Sequence, residues 1–336
     1  MDFLNAFVAL ANFVLIPATA YGAQLALGAL GVTLIYGILR FSNFAHGDTM
    51  AFGTMVTILF TWWFQSMGLS LDPLPTALAA LPFGIVVTAL LLLGTDRIVY
   101  RFYREQKAKP VILVIVSMGV MFILNGLVRF IIGPDEQRFA DGERFLISAR
   151  DFKEITGLEE GLAIRTTQGI TIITAVIVVA LLFWFLKSTR TGKSMRAFSD
   201  NEDLALLSGI NPERVVAITW VIVAALATIA GVLYGLDKSF KPFTYFQLLL
   251  PIFAAAIVGG LGSPLGAIAG GFLIAFSEVS VTYAYKKVLG YLLPENMEPE
   301  GLVQLLSTDY KFAVSFVILI IVLLFRPTGL FRGKTA

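Results

Sequence analysis

The chain has 336 residues, 57% of them hydrophobic and 14% charged, with a net charge of +2 and a mean hydropathy of +0.82. A soluble domain carries roughly 25% charged residues, so this composition belongs to the polytopic membrane class. It excludes charge-driven nucleic-acid binding, a disulfide framework (no cysteine) and a multi-histidine metal site, because His46 is the sole histidine.

A membrane span needs about 20 apolar residues. Met1–Ile16 is apolar but is not preceded by Lys or Arg, so it lacks the pattern of a cleavable signal peptide. Pro17 follows it. Such a stretch is expected to lie at the interface or to form a short extra span. The next candidates are Tyr21–Phe41, Thr49–Met67, Ala77–Tyr100, Pro110–Ile132, Gly169–Leu186, Val215–Leu236 and Ala313–Phe325. Phe246–Ser277 is different. As one helix it would run about 48 Å, too long for a bilayer. Gly259, Gly260, Gly262, Ser263, Pro264 and Gly266 interrupt it, and that density of glycine and proline breaks a helix. The expected fold is therefore all-α, a single polytopic membrane domain over residues 1–336 with about eight transmembrane helices and broken or re-entrant segments.

Orientation follows from Lys and Arg in short loops. Arg97, Arg101, Arg104, Lys107 and Lys109 form one basic region, Lys187, Arg190, Lys193 and Arg196 a second, and Arg326, Arg332 and Lys334 a third. All three are expected in the cytoplasm, with the C-terminus. Gly133–Thr167 carries eight acids against five bases and is expected outside, as is the segment 281–311 with its Pro294–Pro299 insertion. This alternation requires Phe246–Ser277 to cross twice or re-enter.

Two interruptions are candidates for a translocation path. Asn43, Phe44, His46, Gly47 and Asp48 lie between greasy segments with few residues to spare. Polar groups at membrane depth are costly and usually face a cavity or one another. The alternative is a tight turn at the membrane edge, with Asn43 or Asp48 capping the next helix. For Gly259–Gly266 the choice lies between carbonyls exposed to a path and a tightly packed hairpin. A faint internal echo relates the two breaks. Asn125 is expected to make an interhelical hydrogen bond, Arg129 to snorkel outward, and Glu278 to sit at the interface.

A third feature is the polar island at 187–214. Asp200 or Asn201 is a suitable N-cap, Glu202 and Asp203 suit a first helical turn, and Gly209 suits a helix end. Ala205 and Gly209 are four apart, a small pair that leaves room for close packing. The island is either a solvated loop helix or a docking surface, with Arg196, Asp200, Glu202, Asp203, Ala205, Leu206, Ser208 and Gly209 as its candidate contacts. No phosphate-cradling GxxxxGK[ST] occurs, and Ser42, His46 and Asp48 are too compact for a catalytic triad, so catalysis is not expected in this chain.

Four motifs in register carry a resemblance: Asn43–Gly47; Gly192–Ala197 leading to Leu207–Pro212; Ala254–Ser263; and Arg326–Leu330. Together they resemble the LivH-type permeases of branched-chain amino acid ABC importers, over nearly the whole chain from Tyr21 onward. The resemblance implies a permease in the bacterial inner membrane, working with a second, LivM-like permease, two cytoplasmic ATPases of the LivG and LivF type and a periplasmic binding protein. ATP and magnesium would sit on the ATPases and no cofactor on this chain; its other surroundings would be lipid, with no nucleic acid. The island would then be the coupling helix. Asp203 and Leu204 depart from the Glu and Ala of the importer coupling motif, while Ala205 and Gly209 keep its spacing. A urea or short-amide permease is the alternative within transport. A self-sufficient secondary transporter or channel is the alternative of another class, with Asp48 and Glu278 as its candidate ion-coupling groups.

Overall fold

The computed structural model describes residues 1–293 and 301–331. The helices are α1 (Asp2–Leu39), α2 (His46–Ser66), α3 (Ala77–Glu105), α4 (Pro110–Ile132), α5 (Ala149–Thr156), α6 (Thr166–Ser188), α7 (Arg190–Asp200), α8 (Glu202–Leu207), α9 (Pro212–Lys238), α10 (Pro242–Gly259), α11 (Pro264–Thr282), α12 (Lys286–Leu292) and α13 (Lys311–Phe325). Strands β1 (Phe145–Ile147) and β2 (Ile164–Arg165) pair antiparallel in the long loop. Among the described residues, eight helices are long and apolar enough to cross a membrane: α1, α3, α4, α6, α9, α10, α11 and the helix ending at Phe325.

Helix α2 is not among those eight, yet it has 21 residues and runs through the middle of the bundle. Thr49, Thr54, Thr57 and Thr61 lower its hydropathy. Each donates its hydroxyl to the carbonyl four residues back at 2.8 Å, so no hydroxyl needs an outside partner. Small residues let its neighbours close in. A side chain at Gly231 of α9 would meet the Met50 carbonyl at 2.7 Å, and one at Gly53 would overlap Thr228. Helix α9 is the most enclosed span, with Trp220, Val223, Ala224, Ala227 and Ala230 fully buried. Helices α4, α6 and α13 turn rows of Phe, Ile, Leu and Val outward, as a lipid-facing surface requires.

The stretch Met1–Ile16 is neither an interfacial helix nor a separate span. It continues straight into the first span as the start of the 38-residue α1. Pro17 does not stop the helix because a π turn at Ala11–Leu15 precedes it. That wider turn accommodates a ring that has no N–H to give and would clash with a carbonyl one turn back.

The bundle has two distinct ends. At one, Arg40 donates to the Ser199 carbonyl (2.6 Å), Arg101 and Arg104 face Glu213 (3.8 Å each), and the Leu330 and Phe331 amides bond the Val258 and Gly259 carbonyls (2.9 and 3.1 Å). These ties gather the basic regions, as far as they fall within the described residues, at a single basic end; Arg332 and Lys334 lie outside them. At the other end, Gln65 bonds Asp141 (2.8 Å), Gln137 pairs with Phe240, and the Glu160 and Ala163 amides donate to Asn5 and Asn12 (3.3 and 3.2 Å). Residues 133–165 and α12 therefore share the loop end with the N-terminus. Helices α10 and α11 form a hairpin in which each helix is long and apolar enough to cross, the two crossings that the alternation calls for. The Pro294–Pro299 insertion lies outside the described residues.

A tie at the loop end depends on pH. Glu160, with 8% of its side chain exposed, accepts from Lys287 (2.6 Å) and Tyr291 (2.7 Å). Burial alone pushes this carboxyl up, but the bonds from Lys287 and Tyr291 outweigh it and hold Glu160 below its ordinary value. The same bond pushes the Tyr291 hydroxyl up to about 12. For a depressed carboxyl the stabilisation is present above the unfolded value, ordinarily about 4.3, and is lost as pH falls through the folded one. Hydrogen exchange over residues 2–15 should lose relative protection between pH 6 and pH 3.5, and Glu160→Gln should remove that pH difference.

Candidate functional site

The link between α1 and α2 folds into the bundle. Arg40 ends α1 in a left-handed conformation (φ 57°), and the chain turns back into the bundle. His46 packs against Gly31, two turns before the α1 end, about 12 Å inward at the helical rise. Asn43, His46 and Asp48 are all buried. The link is thus folded into the bundle, as a broken helix end would be.

Each residue of this break is held. The Asn43 Oδ1 accepts from the Ala45 amide (3.1 Å) and from the Tyr100 hydroxyl (3.3 Å). The Phe44 amide donates to Ser117 (3.1 Å), and its ring lies 5.1 Å from Phe253. Gly47 has the Tyr245 carbonyl 2.7 Å from where a Cβ would stand, so only glycine fits. Asp48 accepts from Asn125 (2.7 Å), the interhelical bond expected of that asparagine. Its second oxygen and both His46 ring nitrogens have no hydrogen-bond partner of good geometry; the Gly28 backbone faces the His46 ring. Unsatisfied polar atoms concentrate where substrate, water or a moving group is accommodated. Asn125→Ala strips Asp48 of its donor and is expected to cost about 1–3 kcal/mol, read as a lower thermal midpoint in detergent.

The break at Gly259–Gly266 lies elsewhere. It sits at the basic end, beside Arg196, Leu330 and Phe331. Gly260 and Gly262 adopt φ of 108° and 83°, and Ser263 caps α11 by accepting from the Gly266 amide (3.2 Å) with Pro264 in its first turn. The Gly259 and Gly266 backbones touch, and a Cβ on either would overlap the other's carbonyl. This is the tightly packed hairpin. Gly262, Ser263 and Pro264 also line a cavity of about 310 Å³ with Arg196, Ser199 and Asp200.

The polar island forms two helices rather than one. Asn201 separates α7 from α8 and caps α8 by accepting from the Leu204 amide (3.0 Å). Gly209, at φ 79°, closes α8 through amide bonds from Gly209 to Leu206 and from Ile210 to Ala205. Asn211 and Pro212 then start α9. Ala205 is buried against the chain, so its face is closed to a partner. Ser208 spends its hydroxyl on the Leu204 carbonyl (2.8 Å). What α8 presents is Glu202, Asp203, Leu204, Leu206 and Leu207, with Leu204 61% and Leu207 85% exposed.

Two buried groups were not expected from the sequence. Glu278 is 1% exposed rather than interfacial, because Ser315 of α13 donates to it and α1 covers it. Asp96 pairs with Arg104 and accepts from the indole of Trp220 (2.8 Å). An acid in a greasy run with an arginine eight residues on was the available signal.

The match to known proteins is extensive. The family model described as branched-chain amino acid transport system / permease component matches residues 15–323. The LivH high-affinity branched-chain amino acid transport permease of Escherichia coli K12 is 32% identical over 92% of this chain and 91% of its own. The corresponding BraD permease of Pseudomonas aeruginosa is 29% identical over 94% of each chain. PsaBC from Streptococcus pneumoniae in complex with Fab aligns with 96% of this chain and 91% of that one, at 14% identity and a TM-score of 0.43. The chain is a multi-pass membrane protein that belongs to the permease component family of branched-chain amino acid transport systems.

Proposed function

We propose that this chain is the membrane-spanning subunit of an ATP-driven importer of branched-chain or hydrophobic amino acids. The observation that carries the reading is the exposed leucine surface of α8 at the basic end. By the positive-inside rule that end is cytoplasmic, with the C-terminus, in a bacterial inner membrane. A soluble partner there covers Leu204, Leu206 and Leu207. That partner is one of two LivG- or LivF-like ATPases, which carry the ATP and magnesium. A second, LivM-like permease completes the path, and a periplasmic binding protein delivers substrate to the loop end. This chain is then a transport subunit and not an enzyme. Closure of the ATPases moves α7 and α8, and the interior break at Asn43–Asp48 lies where access switches.

Co-expression tests the partnership. A tagged chain should co-purify with ATPases of this class, and recovery of the intact permease without them at every nucleotide state would count against it. Two buried carboxylates, Asp48 and Glu278, are what a proton- or sodium-coupled transporter would use. That second reading predicts uptake that survives ATP depletion and collapses with an ionophore.

A further inference from the structure

An unbroken set of contacts joins the start of α9, directly after α8, to the interior break. Glu213 faces Arg101 and Arg104 at 3.8 Å, beyond hydrogen-bonding distance. Arg104 makes a two-pronged contact with Asp96, whose Oδ1 also accepts from Trp220 Nε1 (2.8 Å). The Trp220 ring stacks on Tyr100 at 5.3 Å and 16°. The Tyr100 hydroxyl donates to the Asn43 Oδ1, the same atom that accepts from the Ala45 amide in the turn before α2.

Three features distinguish this set from ordinary packing. Asp96 and Tyr100 are the two ends of a π turn, Asp96–Tyr100, in α3. Such turns interrupt the regular ladder and often mark functional sites. A largely buried ion pair adds little net stability, because desolvation offsets its attraction, so the Asp96–Arg104 pair specifies geometry more than it stabilises. Finally, Asn43 shares one oxygen between two donors, so displacement of Tyr100 alters the turn that leads into α2 directly.

We propose that Asp96 is the positioning residue that carries displacement of the α7–α8 pair, through Arg104 on one side and Trp220–Tyr100 on the other, to the Asn43 break. The proposal rests on the importer reading above. Its chemistry is mechanical: no bond is made or broken, and the carboxylate holds a guanidinium and an indole in register. Demonstrated coupling, rather than spatial continuity, is what establishes such a route.

The test uses the full complex in proteoliposomes, with ATP turnover and uptake measured on the same vesicles. In Asp96→Asn, uptake per ATP hydrolysed should fall about tenfold while ATP turnover stays within about twofold of the parent. Tyr100→Phe removes one buried hydroxyl with little change in shape and should lower the same ratio about threefold, so it carries the test if Asp96→Asn fails to fold. The double variant should be no worse than Asp96→Asn, since both act on one route. An unchanged ratio in the folded variants would overturn the proposal. So would uptake, ATP turnover and thermal midpoint falling together, the pattern of a merely structural role. Failure of the importer reading looks different: the parent complex would then take up substrate without ATP.

Discussion

Leu207→Asp should abolish ATP-driven uptake while leaving the chain inserted and folded. Leu207 is 85% exposed on α8, so a carboxylate there meets only water in the free chain. In the assembled importer the same carboxylate would be buried, unpaired, at the centre of an apolar contact. Truncating a central interface residue costs about 2 kcal/mol or more, at least 30-fold in affinity, and a buried charge adds to it. Co-purification with the ATPases should therefore be lost, with the thermal midpoint of the isolated permease unchanged. Ala205→Asp should behave differently, because Ala205 is buried within the chain and its substitution disturbs the permease itself. Recovery of a normal complex with Leu207→Asp would show that α8 is a solvated helix with no docking role.

The second large effect lies in the α10–α11 hairpin. Gly259 touches Gly266, and Gly270 touches the Ala255 carbonyl, backbone against backbone. A Cβ at either glycine has no flexible side chain to push aside, so the helices themselves must separate. Gly270→Ala and Gly259→Ala should each cost about 1–3 kcal/mol or more, read as lower folded yield on size exclusion and a lower thermal midpoint. Gly119 of α4 is the control: nothing lies within 4 Å of where its Cβ would stand. Gly119→Ala should be neutral or stabilising by up to about 1 kcal/mol, since alanine favours a helix. Equal effects at the three positions would mean that helix propensity, not close approach, governs this hairpin.

The sequence made the spans legible because lipid enforces long apolar runs, and the helix ends legible because caps are local. Asn201, Gly209, Ser263 and Pro264 each punctuate a helix. The double crossing at Gly259–Gly266 followed from charge alternation. What was not legible depends on contacts between distant segments. Hydropathy could not show that the α1–α2 link folds back to place His46 beside Gly31, because that depth is set by the packing of α2 against α3, α4, α9 and α10. Nor could periodicity show which face of α8 is free. Ala205 and Gly209 suggested room for a partner to pack closely, but α7 packs against α8 and Ala205 is buried while the leucines stay exposed. The π turn that carries α1 past Pro17 is likewise a tertiary accommodation, invisible to a rule that treats proline as a helix breaker. Glu278 looked interfacial because it is near a helix end; Ser315, 37 residues later, is what allows it to be buried.

This chain should move substrate only when ATPases drive it from the basic end. The direct measurement is uptake of radiolabelled leucine into proteoliposomes holding the permease pair, with and without the ATPases, under ATP supply and with an ionophore present. Uptake that requires both the ATPases and ATP, and that the ionophore leaves intact, is the predicted result. Uptake by the permeases alone, abolished by the ionophore and indifferent to ATP, would contradict it.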